Sequence, residues 1–61
     1  MKVGDKVKVV FDEYTDGDLL GYEGVISKTT EEERPIYVDL NIDGFIDRGI
    51  PFDHFELEVI Q

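Results

Sequence analysis

Apolar and polar residues alternate along the stretch from Ile36 to Ile42, and this pattern constrains the fold more than any other feature of the 61-residue chain. Every second residue of the stretch is Ile, Val or Leu. Alternate side chains of a β-strand point to opposite faces, so the stretch predicts a strand with one buried face. The Asp43-Gly44 pair that follows predicts a type I′ hairpin, because both central residues of that turn require positive φ.

The rest of the chain predicts four more short strands and no helix-period segment, which indicates an all-β fold. These strands are expected in Val3 to Phe11, Gly21 to Ser27, Phe45 to Ile50 and Phe55 to Val59. Gly24 predicts a bulge or a close backbone approach inside the second strand. A short 3₁₀ turn is expected from Pro51 to His54, just before the last strand.

We therefore expect residues 1–61 to form a single domain, a small five-stranded barrel that is closed or nearly closed. Closure would remove the exposed strand edges that invite aggregation. The chain contains no cysteine, so its compaction must come from apolar side chains. We expect the phenylalanines to supply much of the interior, namely Phe11, Phe45, Phe52 and Phe55.

Four segments of the chain together resemble the SH3-like barrel proteins. These are Val3 to Val9, which contains Gly-Asp-Lys-Val, Gly21 to Ile26 after a long loop, Ile36 to Leu40, and Ile50 to Leu57. Similar layouts occur in KOW-type domains and in the variable chain of ferredoxin-thioredoxin reductase. The resemblance implies the barrel fold and a role as a binding or accessory module without chemistry of its own. Basic surfaces expected in those relatives are replaced here by acidic ones, so nucleic-acid and ferredoxin binding are not transferred.

Charge is the main functional clue, because 15 Asp and Glu residues oppose six Lys and Arg residues and give a net charge of -9. The stretch from Val9 to Ser27 carries five carboxylates and no Lys or Arg. Such a charge repels nucleic acid and anionic membranes and attracts basic protein surfaces. We therefore expect no direct nucleic-acid binding, even through Lys2, Lys6 and Lys8, and no membrane binding.

Catalysis and metal binding find little support in the residue pattern. Ser27 and His54 are the only serine and the only histidine, and their spacing matches no hydrolytic motif. The acidic stretch from Asp12 to Glu23 partly matches a calcium loop, but Tyr14 occupies the third ligand position and no flanking helix is predicted. A mobile acidic loop between strands is the alternative. We expect no enzyme activity, no metal and no cofactor.

The leading hypothesis is a non-enzymatic, cytoplasmic protein-protein interaction module that binds a basic surface of its partner. It could act as a phage-type inhibitor whose carboxylates replace phosphates in a nucleic-acid-binding cleft. The alternative is a structural accessory subunit that caps a larger enzyme, and a homodimer would give so short a chain more buried surface. The expected partner-binding residues are Asp12, Glu13, Tyr14, Asp16, Asp18, Tyr22, Glu23, Glu31, Glu32, Glu33 and Tyr37.

Overall fold

The computed structural model describes residues 1–13, 15–30 and 35–60. Within them lie five strands and one 3₁₀ turn, and neighbouring strands are all antiparallel. The elements are β1 (Lys6–Val9), β2 (Glu23–Lys28), β3 (Ile36–Ile42), β4 (Phe45–Phe52), the 3₁₀ turn (His54–Glu56) and β5 (Leu57–Val59). The predictions of an all-β fold, five strands and a 3₁₀ turn before the last strand are confirmed, although the turn begins later than expected.

The five strands form one sheet in the order β4-β3-β2-β1-β5, so β4 and β5 are its edges. The sheet is not closed, which corrects the expectation of a barrel. Among the described residues, β4 pairs with β3 alone and β5 with β1 alone. β5 has only three residues and all of them pair with β1, which leaves the sheet open on both sides.

A single apolar cluster nevertheless draws on all five strands. Phe52 of edge strand β4 and Leu57 of edge strand β5 belong to the same cluster as the fully buried Ile26 of β2. Side chains from both edges can meet only if the sheet curves around its inner face. The other members of the cluster are Val7, Val9, Ile36, Val38 and Leu40.

Gly24 and the Asp43-Gly44 turn allow the sheet to curve and the chain to reverse direction. Gly24 lies so close to β3 that a Cβ atom there would be 2.3 Å from the backbone oxygen of Asp39, which confirms the predicted close approach. The hairpin between β3 and β4 has positive φ at both Asp43 (53°) and Gly44 (87°), as the type I′ prediction requires. Register shifts in β2–β3 and β3–β4 add further bends.

The phenylalanines do not fill the interior as predicted. Only Phe52 is buried, whereas Phe11 and Phe55 are 48% and 46% exposed and Phe45 is 70% exposed. Valine, isoleucine and leucine on the strands already fill the inner face. The three exposed phenylalanines lie just beyond β1, directly after the hairpin, and on the 3₁₀ turn.

Candidate functional site

The long connection between β1 and β2 contains the acidic loop, residues 12–21, which folds around the side chain of Asp12. That carboxylate is only 6% exposed. Oδ1 accepts a hydrogen bond from the backbone N–H of Thr15 at 3.1 Å, and Oδ2 accepts one from the N–H of Leu19 at 2.9 Å. The Thr15 hydroxyl also donates to Oδ2. Asp12, predicted as a partner-binding residue, therefore lies inside the loop and organises it.

The other carboxylates of the acidic loop face solvent. Glu13, Asp16 and Asp18 are all exposed. Asp16 and Gly17 have consecutive positive φ angles of 54° and 89°, which form the tight tip of the loop. These three carboxylates are thus presented together on one short segment. Tyr14, also predicted to bind the partner, lies outside the described residues.

Tyr22 and Glu23, at the end of the acidic loop, have different surroundings. Tyr22 is half-buried against the core, and its hydroxyl donates a 3.2 Å hydrogen bond to Oδ2 of Asp43. This bond, the negative charge of Asp43 and a little desolvation raise the pKa of Tyr22. Glu23 is exposed on β2, with Oε1 4.0 Å from the Nζ atom of Lys6. Its charge is therefore partly matched within the chain.

Tyr37 does not join Tyr22 in one surface. It lies on β3 between the buried residues Ile36 and Val38, so its side chain is on the outer face of the sheet. The Nζ atom of Lys28 lies 5.9 Å from its ring centroid. The structure thus separates two tyrosines that the sequence analysis grouped together. The predicted Glu31, Glu32 and Glu33 lie outside the described residues.

Glu56 is a key residue that the sequence analysis missed. It is 7% exposed and sits at the end of the 3₁₀ turn. Oε1 accepts a 2.8 Å hydrogen bond from the N–H of Asp53, and Oε2 accepts a 3.3 Å bond from the N–H of Glu13. The Asp53-x-x-Glu56 spacing matches a helix capping box and could have revealed half of this role. No local sequence pattern predicts the second hydrogen bond, which joins Glu56 to the N–H of Glu13 in the acidic loop.

Beside this junction lies a cleft of about 400 Å³. Its apolar surface comes from two prolines and from Phe52, and its carboxylates come from both the acidic loop and the 3₁₀ turn. Its described lining contains no Lys or Arg. The lining residues are Glu13, Pro35, Pro51, Phe52, Asp53 and Glu56. An apolar surface bounded by carboxylates suits a cationic side chain with an aliphatic stem.

Neither a calcium site nor a hydrolytic site is assembled in the described part of the chain. No group of three or more His, Cys, Asp or Glu residues among the described residues could hold a metal ion. Both oxygens of Asp12 accept hydrogen bonds from N–H or O–H groups within the loop itself. The Ser27 hydroxyl donates to the backbone oxygen of Tyr37 at 3.3 Å, while His54 stands edge-on to the ring of Phe55.

No protein-family model matches this chain, and no curated protein does. Within residues 1–13, 15–30 and 35–60, no helix has the length and apolar character needed to span a membrane. The acidic loop and the cleft beside it are therefore the features from which a function can be inferred.

Proposed function

We propose that this protein is a non-enzymatic interaction module that binds a basic surface of its partner through the acidic loop and the neighbouring cleft. The observation that carries the proposal is the cleft of about 400 Å³, which is lined by the carboxylate residues Glu13, Asp53 and Glu56 together with two prolines and a phenylalanine. The exposed Asp16 and Asp18 extend the same charge to the loop tip. Lysine and arginine side chains fit this combination of carboxylates and apolar surface.

The net charge of -9 would accelerate the approach of such a partner. Exposed carboxylates steer association and set its salt dependence, whereas close contacts between a partner side chain and the cleft lower the rate of dissociation. Glu56 contributes mainly by holding the acidic loop against the 3₁₀ turn, through its bond to the N–H of Glu13. A preformed surface loses less conformational entropy when it binds.

One form of this function is inhibition of a nucleic-acid-binding protein. Carboxylates along the acidic loop would then occupy positions that phosphates normally take on a basic cleft. The proposal includes a cytoplasmic location, which suits a chain that has no cysteine and therefore no disulfide. It also keeps the resemblance to SH3-like proteins, many of which act as binding modules.

The test compares two double variants that remove the same amount of charge from different places. Glu13→Gln with Asp18→Asn removes two exposed charges from the acidic loop, and Asp47→Asn with Glu58→Gln removes two exposed charges from edge strands β4 and β5. We expect the loop variant to bind a nona-lysine peptide about five- to thirtyfold more weakly than the wild type, and the edge variant about twofold more weakly. Isothermal titration calorimetry measures both. Equal losses would mean that net charge alone governs binding and would contradict the proposal.

Salt dependence and partner capture extend the test to natural ligands. The affinity of the wild type for the peptide should fall steeply between about 50 and about 200 mM salt. Proteins captured from lysate at low salt by the wild type, absent with the loop variant and eluted by salt, should be enriched in basic nucleic-acid-binding surfaces. Capture that is unchanged by the loop variant would count against inhibition by phosphate mimicry.

A structural accessory subunit, as in the reductase variable chains, is the second candidate function. It is favoured by apolar side chains on the outer face of the sheet, where Val25 and Ile46 are 45% and 46% exposed. Both border a second cleft, of about 240 Å³. An interface there would resist high salt, and Val25→Asp or Ile46→Asp would abolish it while leaving nona-lysine binding intact. If both variants still bound an enzyme that the wild type binds at high salt, this surface would be excluded as the interface.

A further inference from the structure

Two phenylalanines at the base of the acidic loop form an exposed aromatic pair. The ring centroids of Phe11 and Phe55 are 5.8 Å apart and the rings are tilted by 46°. Each side chain is nearly half exposed. A Phe side chain in a small domain is ordinarily worth burying. Phe11 and Phe55 contact each other and yet face solvent. A ligand that covered them would be stabilised by the burial of this apolar surface.

The pair is held in place by the backbone and by a buried carboxylate. The N–H groups of Val10 and Phe11 both donate to the backbone oxygen of Glu56, at 2.8 and 3.3 Å. Phe55 lies within the 3₁₀ turn. The Glu56 carboxylate caps this turn by accepting a hydrogen bond from the N–H of Asp53, the residue just before it. Both rings therefore project from backbone that is fixed by hydrogen bonds. A partner would meet a preformed aromatic surface instead of ordering a loose one.

Carboxylates dominate the chain around the pair. Residues 10–13 and 53–56 contain four Asp or Glu residues and no Lys or Arg. Glu13 is the exposed one of the four, and its backbone N–H donates to the Glu56 carboxylate. An entirely apolar partner would have to desolvate the exposed Glu13 carboxylate without compensating its charge. A cationic group would pair with it.

Among cations, the guanidinium group of arginine fits this surface best. It is planar, stacks on aromatic faces, and presents paired N–H donors to a carboxylate, whereas the lysine ammonium is a compact and strongly hydrated charge. We propose that the Phe11–Phe55 pair is an arginine-docking site, in which a partner arginine stacks on the rings and pairs with Glu13. This inference depends on the proposed binding of a basic partner and specifies which basic residue is recognised.

The experiment uses nona-arginine and nona-lysine peptides, which carry equal charge. We expect the wild type to bind nona-arginine about three- to tenfold more tightly than nona-lysine. Phe55→Leu and, separately, Phe11→Leu should reduce that preference to about twofold or less and leave the nona-lysine affinity unchanged. Phe45→Leu, at an exposed phenylalanine far along the chain on β4, is the matched control and should keep the full preference.

Nuclear magnetic resonance supplies a readout that overall charge cannot mimic. In the wild-type complex, the side-chain protons next to the guanidinium group should shift upfield because they lie over an aromatic ring, and Phe55→Leu should remove most of this shift. Circular dichroism should be used to check that each variant remains folded. We expect them to fold, because both rings are nearly half exposed.

The outcomes separate the inference from the function on which it depends. If both peptides bind equally well, or if Phe11→Leu and Phe55→Leu keep the arginine preference, the arginine site is wrong and the basic-partner proposal stands. If neither peptide binds, both are wrong. Binding of an uncharged, proline-rich peptide that depends on Phe55 would also overturn the arginine assignment, since it would make the pair an apolar docking site.

Discussion

Carboxylates occur in two settings at the junction of the acidic loop and the 3₁₀ turn. Asp12 and Glu56 are 6% and 7% exposed, and both accept hydrogen bonds from backbone N–H groups. Glu13 and Asp18, near them in sequence or in space, are exposed. The same chemical group thus builds the loop at two positions and remains available to a partner at others.

We therefore expect the buried and the exposed carboxylates to have separable roles. A buried carboxylate is tolerated only where donors surround it, and its removal would leave those donors unpaired. Glu56 bonds the N–H of Glu13, which precedes it by 43 residues. An exposed carboxylate has water as its alternative partner and costs little to change. Stability and binding should therefore respond to different members of the acidic set.

The largest expected effect is that of removing Asp12. Asp12→Ala deprives the N–H groups of Thr15 and Leu19, and the Thr15 hydroxyl, of their acceptor. We expect the free energy of unfolding to fall by about 2–4 kcal/mol, a large part of the stability of so small a domain. Urea denaturation followed by circular dichroism measures the change.

Asp18→Ala is the control for that experiment, because it removes an exposed carboxylate from the same loop. Its expected effect on unfolding is within about 0.5 kcal/mol. Comparable losses in the two variants would show that the loop does not depend on Asp12 and would remove the distinction between buried and exposed carboxylates.

The next effect is that of weakening Glu56. In Glu56→Gln the amide oxygen can still accept one N–H, but its NH₂ group then faces the second donor. We expect a loss of about 1–2 kcal/mol. Amide hydrogen exchange at Asp53 or Glu13 should accelerate more than in β3. Glu58→Gln, an exposed neighbour on β5, should change neither quantity, and exchange rates at Asp53 and Glu13 that match the wild type would contradict the bridging role.

Strand positions were predictable from sequence because alternation with a period of two has a direct physical meaning. β3 matches the predicted Ile36 to Ile42 stretch, and the Asp43-Gly44 turn adopts the expected dihedral angles. Local patterns determine these features. Closure of the sheet was predicted wrongly, because it depends on whether a three-residue β5 reaches a partner other than β1, which no local pattern reveals.

Side-chain roles were harder to predict than strands. Hydrophobicity predicts that Phe11 and Phe55 are buried. It does not reveal that β1 ends before Phe11 or that Phe55 lies on the 3₁₀ turn. Asp12 was grouped with its exposed neighbours, since burial of a carboxylate depends on donors that the folded loop brings together. The full role of Glu56 could not be predicted, because its second hydrogen-bond donor, the N–H of Glu13, lies in a distant segment of the chain.

Neutralising two exposed loop carboxylates should have a smaller effect on stability, and in the opposite direction. Asp16→Asn with Asp18→Asn lowers the self-repulsion of a chain whose net charge is -9, and asparagine tolerates the positive φ of residue 16. We expect unchanged or slightly higher stability at low salt, with the difference vanishing at about 1 M salt. Thermal melts at both salt concentrations measure it. A clear loss of stability at low salt would place these carboxylates in the structural class.

The smallest effect concerns Asp43, an exposed carboxylate that still accepts a hydrogen bond from Tyr22. The bond and the charge of Asp43 raise the pKa of Tyr22 above its usual value of about 10. Because the folded state holds this proton more tightly than the unfolded state, the associated stability is complete below pH about 10 and is lost as the pH rises through the raised pKa.

Tyrosinate absorbance should therefore reveal a late-titrating component, and Tyr22→Phe should remove it. Asp43→Asn should move that component to lower pH, because an amide oxygen can accept the hydroxyl proton but carries no charge to oppose ionisation. An unchanged titration in Asp43→Asn would mean that Asp43 does not influence Tyr22. The expected shift would mark Asp43 as an intermediate case, exposed like Glu13 and Asp18 but linked to the fold like Asp12 and Glu56.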